Sequence, residues 1–310
     1  MSGKRLIIGL VALCALAPIL YITTALLLNL RTPAATDLAS SAQLKDPPAA
    51  LSKPVTLRVA TFNIQALWIV GKHRDIRMPA IAEAVGQLAP DVIGFQEAFV
   101  KKDRDRLVAL LKAKGYPYHR YFRSGYVGSG LLFSSRLPFA EEHFERYRDW
   151  GKAHKLWHGD YYAGKGVALV RIELADGAGY LDVFNTHAHA GYGEKDYIAV
   201  RMNQMLQLVD YIKRATTGTS PALALGDFNV SKDEPAYGAL VEGADLERLM
   251  ALPTRIDHVF AVRNPRYEFI TLDTTPIAGE IQHEGERIEL SDHTGYMTTI
   301  RIQPVEESSP

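Results

Sequence analysis

The sequence predicts one α/β domain in which mixed β-strands are interleaved with a few helices. Short apolar runs bounded by Gly, Asp and Pro recur from Leu57 to Ile302, and this pattern is typical of buried strands. A stretch from Asp196 to Arg214 instead repeats its apolar residues at helical spacing. A chain of 310 residues with 47% hydrophobic content is long enough to bury the core of such a domain.

The first half of the domain is predicted to alternate between strands and helices. The run LRVATFNI, from Leu57 to Ile64, begins it as a strand, and a helix is expected around Ile76 to Leu88. DVIGFQE, from Asp91 to Glu97, is the second buried strand, and a second helix is expected from Asp105 to Lys114. The chain is then rich in strands, and these are GSGLLFSS, GVALVRIEL and YLDVFNTHA.

The second half contains one long amphipathic helix and three further strands. The apolar stripe of the helix is predicted to face the core, and it consists of Ile198, Met202, Met205, Val209 and Ile212. The strands that follow the helix are ALALGDFN, RIDHVFAV and GYMTTIRI.

The N-terminus is predicted to be a transmembrane helix. Residues 6–30 carry no charge, and a helix of that length crosses a hydrocarbon layer of ~30 Å. A cleaved signal peptide is the alternative, but the apolar run exceeds the ~7–15 residues of a usual signal core. Lys4 and Arg5 precede the run, which favours a cytoplasmic N-terminus and a folded domain on the non-cytoplasmic side of the membrane.

Composition sets the remaining boundaries. Residues 1–31 are the predicted anchor, and residues 32–54, rich in Pro, Ala and Ser, are a predicted flexible linker. The folded domain is expected over residues 55–303, with a tail at 304–310. The single cysteine, Cys14, lies in the apolar segment, so the chain forms no internal disulfide.

The charge balance argues against non-specific binding of nucleic acid. The chain has 35 basic and 35 acidic residues, and three of the basic ones lie in the N-terminal segment, which has no acid. The rest of the chain is therefore slightly acidic, the opposite of the sign expected for a protein that holds polyanions.

Polar residues stand at the ends of five predicted strands, where a sheet presents side chains to a cleft. These residues are Asn63, Glu97, His187, Asp227 with Asn229, and Asp292 with His293. Each has an ordinary structural explanation, such as a turn or a cap, but five independent coincidences would be needed to explain them all.

Two histidines in FNTHAHAGY, His187 and His189, leave three interpretations open from the residues alone. They are a metal-chelating pair, an acid catalyst with a neighbour, or two structural histidines at a strand end. If the strand continues past His187, both side chains project to the same side.

Five short motifs in this order, TFNI, IGFQE, NTHAHA, GDFN and SDH, resemble the endonuclease/exonuclease/phosphatase (DNase I-like) superfamily. The resemblance covers nearly all of residues 57–302 and implies a four-layer α-β-β-α sandwich that uses Mg²⁺ to cleave phosphate esters. NTHAHA, GDYYAGKGVALV and GYVGSGLLFSSRLPF are similar to segments of the neutral sphingomyelinase branch in particular.

This resemblance implies a role for each candidate residue. Glu97 is the expected main Mg²⁺ ligand with Asn63 helping, because Mg²⁺ prefers a few hard oxygen ligands; zinc at His187 and His189 is the alternative. His293 is expected to take a proton from the attacking water, and His187 to protonate the leaving oxygen. Asp227 is expected to orient the attacking water or support its histidine, and Asp292 to orient the site or assist the metal. Asn229 is expected to form a hydrogen bond with a phosphate oxygen.

The loop residues Asp160 and Lys165 resemble a pair that forms a switch in the sphingomyelinase branch. His189 is expected to support the catalytic residues from behind or to contact the substrate. The expected substrate is sphingomyelin in a membrane. A DNase-type nuclease, a phosphodiesterase acting on another phospholipid, and a non-catalytic lipid-binding or adhesion protein are the alternatives.

Overall fold

The computed structural model describes residues 14–24, 27, 50–155 and 158–305. Residues 14–24 are helical, and within the described ranges no helix is long and apolar enough to cross a membrane. Most of the predicted anchor (1–31), linker (32–54) and tail (304–310) lies outside the described residues, so these assignments stay predictions.

Two six-stranded sheets form the centre of the domain. The strands of the first sheet, in chain order, are β1 (Val55–Asn63), β2 (Val92–Gln96), β3 (Tyr118–Tyr121), β4 (Leu132–Ser135), β11 (Tyr267–Ile277) and β14 (Gly295–Pro304). Their spatial order is β11-β14-β1-β2-β4-β3.

The second sheet and a separate hairpin contain the other strands. The sheet consists of β5 (Phe139–Arg146), β6 (Gly166–Glu173), β7 (Tyr180–His187), β8 (Ala222–Asp227), β9 (Leu246–Arg248) and β10 (Asp257–Val262). Their spatial order is β5-β6-β7-β8-β10-β9. The hairpin pairs β12 (Glu280–His283) with β13 (Glu286–Glu289).

Helices cover the outer face of each sheet, which confirms the four-layer α-β-β-α sandwich. Helices α1 (Arg74–Leu88) and α2 (Lys101–Ala113) pack on the first sheet, and α3 (Asp196–Ala215) and α4 (Pro235–Gly243) on the second. A third apolar cluster, with Val59 and Val183 among its members, fills the space between the sheets. The hydrophobic effect thus holds all four layers through three successive buried interfaces.

The long helix has the predicted bounds within one residue, but its buried stripe differs in the first turn. Met205, Val209 and Ile212 are buried as predicted, whereas Ile198 is exposed and Tyr197 points inward. The aromatic ring of Tyr197 packs against the imidazole of His189, with ring centroids 4.2 Å apart. This turn therefore contacts the loop after β7 rather than the apolar core.

The strand pairing brings the ends of several strands to one edge of the sandwich. β1 and β2 are parallel with Asn63 beside Gln96, and β7 and β8 are parallel with His187 beside Asp227. Because β10 is antiparallel to β8, its first residue, Asp257, also lies beside Asp227.

A close contact between the two sheets lies directly under this edge. The backbone of Gly94 in β2 approaches the side chains of Asn185 and Leu225, and a Cβ at Gly94 would lie 2.8 Å and 2.5 Å from them, respectively. The Gln96 amide donates to Asn185 Oδ1 at 2.7 Å, and Asn185 Nδ2 donates to the Phe95 carbonyl at 3.2 Å. These buried hydrogen bonds fix the spacing of the sheets where the polar strand ends meet.

We expect Gly94→Ala to lower the free energy of unfolding by about 1–3 kcal/mol, because the added methyl group overpacks the contact between the sheets. Gly238→Ala in α4 is the matched control, since a Cβ there meets no atom within 4 Å and alanine favours a helix by about 1 kcal/mol. Urea unfolding of both variants measures the difference. A Gly94→Ala variant as stable as the wild type would contradict this account of the contact.

Candidate active site

The predicted site residues from five strand ends meet in one cleft at this edge of the sandwich. Asn63 and Glu97 come from the first sheet, and His187 and Asp227 from the second. His293 comes from the segment just before β14, which lies next to β1 in the first sheet. The cleft is therefore built across the seam between the sheets.

Asn63 joins the two carboxylates of the cleft. Its Nδ2 donates to Asp227 Oδ2 at 3.1 Å, and its side chain also forms a hydrogen bond with Glu97. Its Oδ1 accepts from the Gln65 backbone N–H at 3.1 Å, which fixes the orientation of the amide. A carbonyl oxygen has two lone pairs, so Oδ1 can accept this bond and still serve as a ligand.

Glu97 follows β2 with a positive φ of 57°, an uncommon conformation for a residue with a side chain. Burial raises the pKa of its carboxyl, while Lys165 and the hydrogen bond from Asn63 act in the opposite direction. Its Oε1 lies 3.8 Å from His187 Nε2. The cleft thus holds a carboxylate whose charge the protein compensates only in part.

Asp227 lies between the two histidines. Its Oδ2 is 3.6 Å from His187 Nε2 and 3.8 Å from His293 Nε2, and its Oδ1 accepts from the Asn229 backbone N–H at 3.0 Å. Burial and the neighbouring charge of Asp257 raise the pKa of Asp227 to about 7. Asp227 is therefore the central acid of the cleft.

His293 is held by Asp257. The imidazole Nδ1 lies 2.9 Å from Asp257 Oδ2, so Nδ1–H donates and Nε2 faces Asp227. Burial alone lowers the pKa of His293, but the hydrogen bond to Asp257 and the charges of Asp227 and Asp292 outweigh it and raise the pKa to about 9.

The sequence interpretation did not assign Asp257 to the site. It predicted RIDHVFAV only as a strand, and it gave Asp292 the role of orienting the site. Asp292 is exposed and accepts from Gln65 Nε2 at 2.7 Å. The position of Asp257 at the start of a strand was the available signal, since β10 runs antiparallel to β8 and begins where β8 ends.

Asn229 lies at the back of the cleft and faces the protein. It has a φ of 52°, and its Nδ2 donates to the Ala188 carbonyl at 3.0 Å. Ala188 O also accepts from Lys165 Nζ at 2.8 Å. The contact of Asn229 with a phosphate oxygen stays a prediction.

His187 forms a hydrogen bond with Lys165. Lys165 Nζ lies 2.9 Å from His187 Nε2, and an ammonium only donates, so Nε2 is the acceptor and the imidazole is neutral. Burial and the charge of Lys165 lower the pKa of His187 well below its ordinary 6.5. The two histidines of the cleft therefore have opposite protonation tendencies.

Lys165 also pairs with Asp160, the second residue of the predicted switch. Their Nζ and Oδ1 atoms are 2.9 Å apart and both side chains are largely buried. Asp160 Oδ2 accepts from the Ala190 backbone N–H at 2.7 Å. The pair thus joins the loop before β6 to the loop after β7, beside His187.

His189 lies outside the row formed by the other residues, since β7 ends at His187 and the strand periodicity stops there. Its Nδ1 is 3.6 Å from Asp160 Oδ2 and 2.6 Å from the Ala190 carbonyl, and its ring contacts Tyr197. His189 therefore supports the Asp160–Lys165 pair and does not pair with His187 around a common ligand.

The donor atoms of the cleft fit a hard divalent cation. Glu97 and Asn63 offer carboxylate and amide oxygens, and the raised pKa of Glu97 indicates a negative charge that a cation would stabilise. Within the described residues, a second group, Asp227, Asp257 and His293, has ligand atoms within 4.8 Å of one another. Because His293 and Asp257 already bind each other, Glu97 with Asn63 is the freer ligand pair.

Comparison with known proteins places this architecture in a family. Residues 60–293 match the Endonuclease/Exonuclease/phosphatase family. The chain is 31% identical over 182 residues to a protein of Schizosaccharomyces pombe named inositol phosphosphingolipids phospholipase C, covering 58% of this chain and 42% of that protein. It is 33% identical over 179 residues to sphingomyelin phosphodiesterase 2 of Rattus norvegicus, covering 56% and 42%.

The fold is similar to that of solved bacterial proteins. Sphingomyelinase C from Streptomyces griseocarneus superposes with a TM-score of 0.60 and 20% identity, over 79% of this chain and 99% of that one. The matched part spans about two fifths of the length of the S. pombe and rat relatives. The family match covers most of the chain and all five strand-end positions, and the chain belongs to the Endonuclease/Exonuclease/phosphatase family.

Proposed function

We propose that this protein is a Mg²⁺-dependent phosphodiesterase that hydrolyses sphingomyelin to ceramide and phosphocholine. The observation that carries the proposal is the meeting of Asn63 and Glu97 with two histidines and Asp227 in one cleft. In-line hydrolysis of a diester requires a proton acceptor on the water side and a proton donor on the leaving side. Two histidines with different environments, His293 and His187, can divide these tasks.

His293 is the proposed general base. Asp257 holds its Nδ1–H, so Nε2 is the atom that takes the proton from water as the water oxygen attacks phosphorus. The pKa of about 9 keeps a proton on Nε2 in the metal-free protein, so this role requires the positive charge of a bound cation, which would lower that pKa. This arrangement is the histidine–carboxylate pair that fixes a tautomer in many hydrolases. Asp227, 3.8 Å from Nε2, stabilises the imidazolium that results.

The bond from phosphorus to the ceramide oxygen breaks on the opposite side, and that oxygen needs a proton. The proposed source of this proton is the pair His187 and Lys165, which share a hydrogen bond with the donor proton on Lys165 Nζ. We propose that the pair acts as one donor: Lys165 Nζ gives a proton to His187 Nε2 and becomes a neutral amine, and the ceramide oxygen takes the proton from Nε2 as its bond to phosphorus breaks. Asp160 holds Lys165 in place, and this contact gives the predicted switch a physical basis.

Glu97 and Asn63 are the proposed ligands for Mg²⁺. When bound, the cation supplies a positive charge that offsets the phosphate anion and opposes protonation of His293. The chain's own residues still position the water and transfer the protons.

The names of the relatives and the charge of the chain support a lipid substrate. The relatives are named as phospholipases or phosphodiesterases of sphingolipids, and the slightly acidic domain disfavours a polyanionic substrate. The predicted anchor at residues 1–31 would hold the domain at a membrane, on its non-cytoplasmic side. A DNase-type nuclease on the same cleft is the second candidate, because the catalytic set itself does not select the ester.

With Mg²⁺ present, we expect the protein to release phosphocholine from sphingomyelin in mixed micelles and to lose this activity with EDTA. Glu97→Gln removes the proposed ligand charge and should lower turnover by at least about 100-fold, an effect that excess Mg²⁺ partly reverses. Glu83→Gln, an exposed residue of α1, is the matched control. If the protein nicks duplex DNA and leaves sphingomyelin intact, the nuclease alternative is correct.

Lys165→Met should lower turnover by about 100-fold or more, because it removes the donor that serves His187. The change also leaves Asp160 buried without its partner, so Asp160→Asn/Lys165→Met is measured beside it to restore charge neutrality. If the double variant folds as well as the wild type and still lacks activity, Lys165 acts in the chemistry. Full turnover in Lys165→Met would refute the role.

Asp257→Asn should bring the pKa of His293 down from about 9 towards its ordinary value, because it removes the carboxylate that binds Nδ1. Asp292→Asn should lower this pKa less, since Asp292 acts only through its charge. Proton NMR titration of the His293 ring in metal-free protein gives both values. A wild-type pKa near 6.5, or equal shifts in the two variants, would contradict the proposed pairing.

A further inference from the structure

We propose that the loop between β1 and α1 docks on the surface of a lipid bilayer that contains anionic lipids. Residues 67–71 form this docking loop. The proposal rests on the lipid substrate proposed above, and it adds the part of the catalytic domain that contacts the membrane.

The docking loop exposes three consecutive large apolar side chains. Trp68 is 51% exposed, Ile69 is 93% exposed and Val70 is 60% exposed. From residue 50 onward, the described part of the chain has no other run of three such residues. Single exposed apolar residues are common on proteins, whereas a contiguous apolar tip indicates a binding surface.

The loop is held from inside, so the exposure is not a consequence of a loose backbone. Arg74 Nη1 donates to the Leu67 carbonyl at 2.6 Å and also to the Gly71 carbonyl, and Arg74 Nε pairs with Asp103 at 2.6 Å. A Cβ at Gly71 would lie 2.4 Å from the Gln65 carbonyl, so the turn requires glycine.

A second arginine, Arg77, clamps the two ends of the loop. Its buried guanidinium donates to the carbonyls of Gln65 at 3.3 Å and Lys72 at 3.0 Å, and to Leu290 at 2.7 Å. Burial lowers the pKa of Arg77, although Asp292 opposes this effect. Arg74 of α1 binds the carbonyl groups of Leu67 and Gly71 at the two ends of the docking loop, while the apolar side chains between them are exposed.

The charge around the docking loop suits an anionic bilayer. Lys72 and Lys102 are exposed beside it together with one exposed acid, Asp75, and each basic residue near an anionic surface contributes about 1 kcal/mol of attraction. The hairpin β12–β13 is instead acidic, with four glutamates and one arginine among residues 280–289. A tryptophan at the tip is also the residue that membrane interfaces favour.

The docking loop begins at the cleft. The Ala66 backbone N–H donates to the Glu97 carbonyl at 3.1 Å, and Gln65 Nε2 donates to Asp292. Ile69 follows Asn63, a cleft residue, by six positions in the sequence. A bilayer that receives the loop would lie against the same edge of the domain as the cleft, where a lipid headgroup has to enter.

The test uses the full chain with an environment-sensitive fluorophore on an engineered cysteine. Cys14, the single cysteine, is first changed to serine, and the label is placed at Ile69→Cys or, as the control, at Leu272→Cys. Leu272 is 55% exposed at the bulge of β11, midway along an edge strand. Vesicles of phosphatidylcholine and phosphatidylserine carry a doxyl quencher on the acyl chains.

We expect the probe at position 69 to shift its emission to shorter wavelength and to be quenched by the doxyl lipids, and the probe at 272 to do neither. Lys72→Glu/Lys102→Glu should weaken the quenching at position 69. Because a membrane anchor would hold the whole chain on the vesicle in every case, equal responses at the two positions, or none at 69, would overturn the proposal.

Activity gives an independent measurement. Ile69→Glu should lower the ratio of sphingomyelin turnover in vesicles to turnover of a water-soluble diester, bis(p-nitrophenyl) phosphate, by at least about tenfold. Leu272→Glu should leave this ratio unchanged, and an unchanged ratio in Ile69→Glu would count against the docking loop. If the wild type hydrolyses neither substrate, the proposed function fails while the fluorescence result still decides the docking loop.

Discussion

The approach of the two sheets at Gly94 is the constraint on which the cleft depends. Asn63 and Glu97 belong to one sheet, whereas His187, Asp227 and Asp257 belong to the other. No single sheet holds both the proposed metal ligands and the acids that support the histidines. The hydrogen bonds of Asn185 and Gln96 set the distance between the sheets, and the bond from Asn63 to Asp227 closes the seam at its polar end.

The cleft contains more negative charge than its own cations neutralise, and the pKa shifts follow from this imbalance. Burial raises the pKa of Glu97, Asp227 and Asp257. The positive charges of His293 and Lys165 offset this effect only in part. The charges of Asp227 and Asp257 raise the pKa of His293, whereas burial and the charge of Lys165 lower the pKa of His187. Two histidines thus acquire different protonation behaviour from their neighbours rather than from their sequence motifs.

Much of the fold and most of the cleft could be predicted from the sequence, because both depend on local signals. Apolar runs located β1, β2, β7, β8, β10 and β14, and a polar residue at the end of a run marked most of the site. Asp257 was not assigned to the site, because its position at the start of a strand becomes informative only once the antiparallel pairing of β10 with β8 is known. No local pattern encodes that pairing. Whether His189 projects to the same side as His187 depends on where β7 ends, and the pattern did not reveal that β7 ends at His187. The sequence did not indicate the docking loop, because three consecutive apolar residues can equally be buried and their exposure is seen only in the folded chain.

The pairing of β1 with β14 has a consequence for how the domain is made. Val55 lies opposite Ile302, so the first strand of the domain has its neighbour on one side only after almost the whole chain has been synthesised. Contacts so distant in sequence form late and slowly. Asn63 likewise meets Asp227 across 164 residues of sequence. A fragment that ends before residue 293 lacks His293, and one that ends before β14 also lacks the strand that pairs with β1, so the cleft is complete only once nearly the whole domain has been synthesised.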